Sequence, residues 1–385
     1  MSAKILLQKI FYKALEGVKA DKIVKRNLSI DKEYLKISNQ KIKLNSFNKL
    51  YIFGVGKAAY FMAKEAEKIL SNRVSGGLIV SLEKQNLSYV KTCRSTHPQM
   101  SEKSVDCANK LIKEIQKLQK DDLFIFFLSG GASAMIEKPV DEISFEEFQK
   151  ISNALLVSGI DIKALNKIRK SISAIKGGKL AKFFKAKGYV QVLSDVIGDD
   201  LNTIGSAPLY PDFPHYIIGN NTIALERAKK YVKSHVQKTK IVTTTLSTNS
   251  KAAAKMIAKE IETYNKEYDS FCLLFGGETT VEVQGNGLGG RNSELALRLL
   301  NSSCITKDIF ILCAGSDGKD GNSEGDGAFI DYDIYKKIKK QKLNPKEYLQ
   351  RNDSFSFFHQ LGYSFVTGLT GTNVMDFVII LKQKF

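Results

Sequence analysis

Five short segments of this 385-residue chain place charged or hydroxyl side chains beside glycine, where phosphate chemistry finds its parts. Lys57 stands in GVGKAA, Gly54 to Ala59, directly after the apolar run Leu50 to Phe53. Backbone N–H groups exposed at such strand-to-helix turns bind anions, and a Lys at the mouth of the turn is placed to meet one. The pattern is not a P-loop, since GxxxxGK[ST] is absent, and a solvated Lys57 is the plainer alternative. The second segment, LSGGASAM from Leu128 to Met135, adds hydroxyl donors at Ser129 and Ser133 to glycines that permit close backbone approach. A nucleophilic serine is disfavoured there because GxSxG is not matched.

The third, VLSDVIGDDLNTIGSAPLYPD, brings Asp195, Asp199 and Asp200 together at a strand end. Loop Asp residues commonly make Asx turns, but three within six residues also suit acid/base work or Mg²⁺, a cation of carboxylate and phosphate oxygens. GGRNSE sets Arg291 at the predicted start of a helix, where its charge can join the backbone dipoles on an anion. SDGKDGN carries Asp317 and Asp320 in a short turn that resembles a metal loop without meeting the EF-hand pattern.

Apolar runs of strand length alternate with helical spacing along most of the chain, which predicts an α/β fold with a largely parallel sheet. Strands are expected at Leu50–Phe53, Leu78–Leu82, Leu123–Leu128, Tyr189–Leu193 and Ile241–Leu246. Helices are expected at Ala58–Leu70, Phe145–Val157, Leu165–Phe184, Thr222–Lys233 and Lys251–Tyr264. Glycines then become dense between the runs Phe271–Phe275, Ile309–Cys313 and Phe377–Leu381. This change of texture predicts a first domain over 1–267 and a second over 268–385. The length agrees with two domains.

A net charge of +18 raises the question of nucleic acid. The basic residues are spread along the chain without a recognisable module or a basic–aromatic patch, so no nucleic-acid partner is expected. No apolar run reaches the roughly 18 residues of a spanning helix, and Met1 to Lys19 reads as an amphipathic helix without a cleavage site. A cytoplasmic protein without a membrane partner is therefore expected. The five cysteines lack CxxC spacing and read as buried free thiols.

In combination, GVGKAA, LSGGASA, LNKIRKSISAIKGGKLA, LSDVIGDD, GGETTVEVQGNGLGGRNSELAL, AGSDGKDG and TGLTGTNVMD resemble, in order, the glycerate kinases with a C-terminal MOFRL domain. The resemblance runs from about Leu50 to Leu381. It implies a Rossmann-like N-terminal domain, a smaller α/β C-terminal domain, and transfer of the ATP γ-phosphoryl to glycerate, usually at its 2-hydroxyl, with Mg²⁺ in a cleft between the domains. Lys57 and Arg291 match the family's basic pair, and Asp195 the acid of its LSD motif.

On this reading Lys57 and Arg291 stabilise the phosphoryl group while Asp195 orients or deprotonates the substrate hydroxyl. The nucleotide falls to Gly54, Gly56, Ser129, Gly130, Gly131, Ser133, Asn220, Gly276, Gly277 and Glu278. Mg²⁺ falls to Asp195, Asp199, Asp317 and Asp320, and self-association is left open. The chain departs from the family pattern at Ala132, Ile197, Ala207 and in His97-Pro98-Gln99-Met100-Ser101. The rival enzyme is an NAD(P)-dependent hydroxypyruvate reductase. For that, Gly54 and Gly56 supply only part of GxGxxG, and Glu83 comes late for a ribose contact.

Overall fold

The structure, a computed structural model, describes residues 2–383 apart from residues 84, 158–161 and 303. It divides into two compact units, one formed by Ala20–Gly219 and the other by Met1–Lys19 with Asn220–Phe385.

The unit Ala20–Gly219 begins with a small antiparallel sheet of β1 (Leu28–Ile30), β2 (Tyr34–Ile37) and β3 (Gln40–Lys43). Its main sheet contains β4 (Leu50–Val55), β5 (Val74–Ser81), β6 (Lys91–Arg94), β7 (Leu123–Ser129), β8 (Lys187–Leu193) and β9 (His215–Gly219). All neighbours are parallel and the order is β6-β5-β4-β7-β8-β9. Renumbered from β4, this is the doubly wound order 3-2-1-4-5-6, whose direction of winding reverses between β4 and β7.

Every residue of β7, LFIFFLS, is buried, as a central strand covered on both faces requires. Phe124 stacks on Phe184 at 4.1 Å between ring centroids and meets Phe213 edge-on at 4.9 Å. Burying a side chain of that size contributes roughly 1.5–3 kcal/mol.

The second unit is built on β10 (Lys238–Leu246), β11 (Phe271–Gly277), β12 (Ile309–Gly315), β13 (Gly327–Ile330), β14 (Ser364–Phe365) and β15 (Asp376–Lys382), ordered β10-β11-β15-β12-β13-β14. Only β10 and β11 run parallel. The amphipathic N-terminal helix Ala3–Val18 packs here: Phe11 is fully buried, with its ring 5.0 Å from Phe365 and 5.9 Å from Phe377.

The α/β class and the parallel sheet of the first unit agree with expectation, and four details differ. The expected boundary at 267/268 does not coincide with the division at 219/220, because β10 pairs with β11 and the helix Asn221–Val232 packs with that sheet. Gly54 does not end its strand but lies inside β4, where a Cβ would stand 2.7 Å from the Phe127 carbonyl oxygen. The single helix expected over Leu165–Phe184 is a helix Ile162–Ser171 and a 3₁₀ turn Lys179–Phe183, separated by Gly177 and Gly178 at positive φ. Finally, Cys93 and Cys107 are disulfide-bonded, because β6 and the helix Glu102–Ile115 bring their Cα atoms to 5.7 Å. Cys272, Cys304 and Cys313 are the buried free thiols.

Candidate active site

In the parallel unit, Lys57 follows β4, Ser129–Gly131 end and follow β7, and Asp195 follows β8. These are carboxyl ends of neighbouring strands, at and beside the reversal point where open α/β sheets bind ligands.

The glycines of these turns bring segments of the protein onto one another. A Cβ on Gly130 would collide with the Asp195 carboxylate. One on Gly131, at φ +84°, would lie 2.9 Å from His97 Cδ2 and 3.2 Å from Lys57 Cγ. Gly56, at φ +131°, has Ser129 where its side chain would be. Two cross-loop hydrogen bonds fix the arrangement: Ala58 N–H donates to the Ser129 hydroxyl at 3.0 Å, and Lys57 N–H to the Gly130 carbonyl at 2.9 Å. Lys57, His97 and Asp195 therefore gather over Gly130–Gly131, and the expected role of glycine as a phosphate cradle becomes one of close self-packing.

Burial, reinforced by the positive charge of Lys57, depresses the His97 pKa, so its ring is neutral at neutral pH. Ser133 is not in the turn's interior but shares a 2.7 Å hydrogen bond with Ser206. Asp200 is held as an Asx turn by Asn202 and Thr203. Asp195 and Asp199 are the partly buried carboxylates of the same segment. Ala207, where the family motif has glycine, adopts φ +54°, a conformation glycine reaches without strain. Ala132 is an ordinary buried helical residue.

Arg291 opens the helix Arg291–Leu300 of the other unit, as expected, but its charge is already answered. Its Nε donates to Asp376 Oδ2 at 2.5 Å, its Nη2 to Asp376 Oδ1 at 3.0 Å, and its Nη1 lies 2.7 Å from Glu278 Oε1. Burial works against the guanidinium charge, but Asp376 and then Glu278 outweigh it and raise the pKa. Burial also pushes the Asp376 carboxyl upward despite Arg291.

Asp320, expected at a metal, is 1% exposed and caps this helix: it accepts from Asn292 N–H, Ser293 N–H and the Ser293 hydroxyl. Asp317 accepts from Lys319 N–H. Asn220 caps the helix Asn221–Val232 through Ile223 N–H. Gly276 packs on the Asn221 amide and Gly277 on the Leu246 backbone. Among the described residues no group of three or more His, Cys, Asp or Glu is arranged to hold a metal ion.

Sequence reading singles out neither Asp376 nor His97 for a role at the site. Asp376 ends TGLTGTNVMD and His97 begins the altered His-Pro segment, so each lies in a recognisable motif whose contacts only the fold shows.

A doubly wound sheet with a basic residue and a carboxylate at its reversal point defines a ligand-binding α/β unit. Family models match most of the chain: "Domain of unknown function (DUF4147)" over residues 6–239 and "MOFRL family" over residues 271–376. The chain belongs to the two-domain glycerate kinases that combine these parts. It is similar to the D-glycerate 2-kinase of Thermotoga maritima, with 32% identity over 98% of each chain. It is also similar to the glycerate 2-kinase of Pyrococcus horikoshii, with 30% identity over 90% of this chain and 91% of the relative. The crystal structure of the Thermotoga maritima glycerate kinase superposes with a TM-score of 0.89 at 30% identity, covering 99% of both chains. A Pyrococcus horikoshii structure gives 0.89 at 26% identity, covering 100% of this chain and 99% of that one.

Proposed function

We propose that this enzyme phosphorylates glycerate with ATP and releases 2-phosphoglycerate. The observation that carries the reading is the packing of Lys57 and Asp195 over Gly130–Gly131, at the sheet's reversal point, in a chain matched end to end by a D-glycerate 2-kinase.

ATP supplies the γ-phosphoryl group and its Mg²⁺ screens the phosphate charge. Asp199 would offer a hard oxygen ligand of the kind Mg²⁺ takes, and one or two carboxylates suffice when phosphates complete the shell. Asp195 accepts a hydrogen bond from the substrate hydroxyl, orients it, and takes its proton as the oxygen bonds to the γ-phosphorus and the bond to the bridging oxygen of departing ADP breaks. Lys57 sets a positive charge against the oxygens on which charge develops. Arg291 adds a second positive group, held at a fixed orientation by Asp376 and Glu278. Gly56, Gly130 and Gly131 keep the turns close enough for Lys57 and Asp195 to share one site.

A coupled assay of ATP turnover with glycerate, hydroxypyruvate and tartronate tests the reading, with the product resolved as 2- or 3-phosphoglycerate. ATP turnover with glycerate is the expected result; its absence, with nicotinamide-dependent reduction of hydroxypyruvate, would favour the reductase. Among the described residues no helix is long and apolar enough to cross a membrane. Use of ATP favours the cytoplasm, while the Cys93–Cys107 bridge favours an oxidising compartment. Counting alkylatable thiols in freshly extracted protein decides between them.

A further inference from the structure

A pocket of about 530 Å³ lies in the unit Ala20–Gly219, and its lining includes His97, Ser133, Asn166, Arg169, Lys176 and Ser206. That size suits a small molecule. Its wall at His97 and Gly131 adjoins Lys57, whose Cγ would lie 3.2 Å from a Cβ on Gly131.

The two cations in the lining are not equivalent. Lys176 is buried and neutralised by the buried Glu137, its Nζ 2.6 Å from Oε2, while Glu137 also accepts a 2.5 Å hydrogen bond from Ser173. Arg169 instead has an Nε that is shielded from solvent and has no hydrogen-bond partner. A guanidinium N–H without an acceptor is costly in such a place, and an anion restores what is missing. Burial lowers the Arg169 pKa and Glu137 only partly offsets it, so a second negative charge is favourable there. The Ser133–Ser206 pair spends one hydroxyl proton between its oxygens and keeps the other for a ligand.

We propose that this pocket receives the carboxylate end of a short hydroxy acid, with Arg169 as its receptor and the Ser133–Ser206 pair holding a ligand hydroxyl. The remaining hydroxyl is thereby presented on the side of Lys57 and Asp195. This assignment rests on the glycerate kinase reading and adds to it the residues that discriminate an acid from an uncharged polyol.

The test compares the wild type with Arg169→Gln and Arg169→Lys, each checked for folding by thermal unfolding. Steady-state kinetics at saturating ATP is paired with calorimetric binding of glycerate and of tartronate to nucleotide-free protein. Arg169→Gln should raise KM for glycerate by roughly 10²-fold, with a smaller change in kcat and an unchanged KM for ATP. Arg169→Lys, which keeps the charge, should recover part of that loss. An unchanged glycerate KM in folded Arg169→Gln, or in Arg169→Lys if the Gln variant does not fold, overturns the assignment and leaves the kinase reading intact. If the wild type turns over no glycerate, the kinase reading fails and calorimetry decides the pocket. Carboxylate binding weakened by Arg169→Gln then supports the assignment; equal binding in both proteins, or none in either, overturns it.

Discussion

The carboxylate of Asp195 occupies the space that a side chain on Gly130 would need. The acid proposed to act on the substrate is thus positioned by the absence of a methyl group on the neighbouring loop. Gly130→Ala should displace Asp195 and lower kcat by roughly 10²-fold or more, close to the effect of Asp195→Asn. ATP binding should be largely preserved in Asp195→Asn. If that variant instead keeps full kcat but demands much more Mg²⁺, Asp195 belongs to the metal site and is not the base.

Lys57→Ala should lower kcat by about 10²-fold or more, the usual scale for loss of a preorganised charge at a transition state. The pH profile offers a second reading of the same residue. Its charge helps to lower the His97 pKa, after burial, so the His97 pKa should rise in Lys57→Ala. An NMR titration of the His97 ring measures this directly. Normal turnover in a folded variant would return Lys57 to the solvated surface.

Asp376 holds Arg291 through two hydrogen bonds and is itself almost fully buried. Asp376→Asn removes the charge and keeps the shape. Because the Arg291 side chain is 32% exposed, water replaces part of what is lost, and the expected destabilisation is about 2 kcal/mol rather than the larger figure of a sealed pair. Calorimetric unfolding measures it. The accompanying loss of kcat should exceed any rise in glycerate KM if Arg291 acts on the phosphoryl group.

Asp326 gives a pH prediction. Burial raises its pKa from 3.8 to about 6, although hydrogen bonds from Thr367 N–H and the Thr367 hydroxyl pull the other way. Between those values the folded protein holds a proton that the unfolded chain has released. Stability attributable to this group is therefore greatest at acid pH, falls as pH rises from about 4 to about 6, and is level above. Asp326→Asn should flatten that decline without lowering the unfolding temperature at pH 7.5. A steeper decline in the variant would reverse the assignment.

The strands that position the site were legible because burial on both faces leaves an apolar run, as in LFIFFLS of β7. Lys57 and Asp195 could be picked out from their turns for the same reason, a strand end being a local event, and Arg291 from the start of its helix. What a glycine accommodates is not local. Gly56 and Gly130 look alike to a phosphate and to a neighbouring loop, and only the packing of β4, β7 and β8 shows that the loop is there. Asp320 similarly sits in a motif that resembles a metal loop, while the N–H groups it caps begin at Asn292 on another segment. The pairing of Cys93 with Cys107 and of β10 with β11 depends on tertiary contacts that spacing does not encode.

The N-terminal helix Ala3–Val18 belongs to the unit completed by Asn220–Phe385, whereas Ala20–Gly219 is one unbroken stretch. During synthesis the inner stretch can close its parallel sheet while the outer unit still lacks β11, β12 and β15. The helix Ala3–Val18, made before the rest of its unit, must keep its apolar face, including Phe11, waiting until Phe365 and Phe377 are made. That interval of more than three hundred residues leaves this helix open to chaperones, and to mispairing with a neighbouring nascent copy.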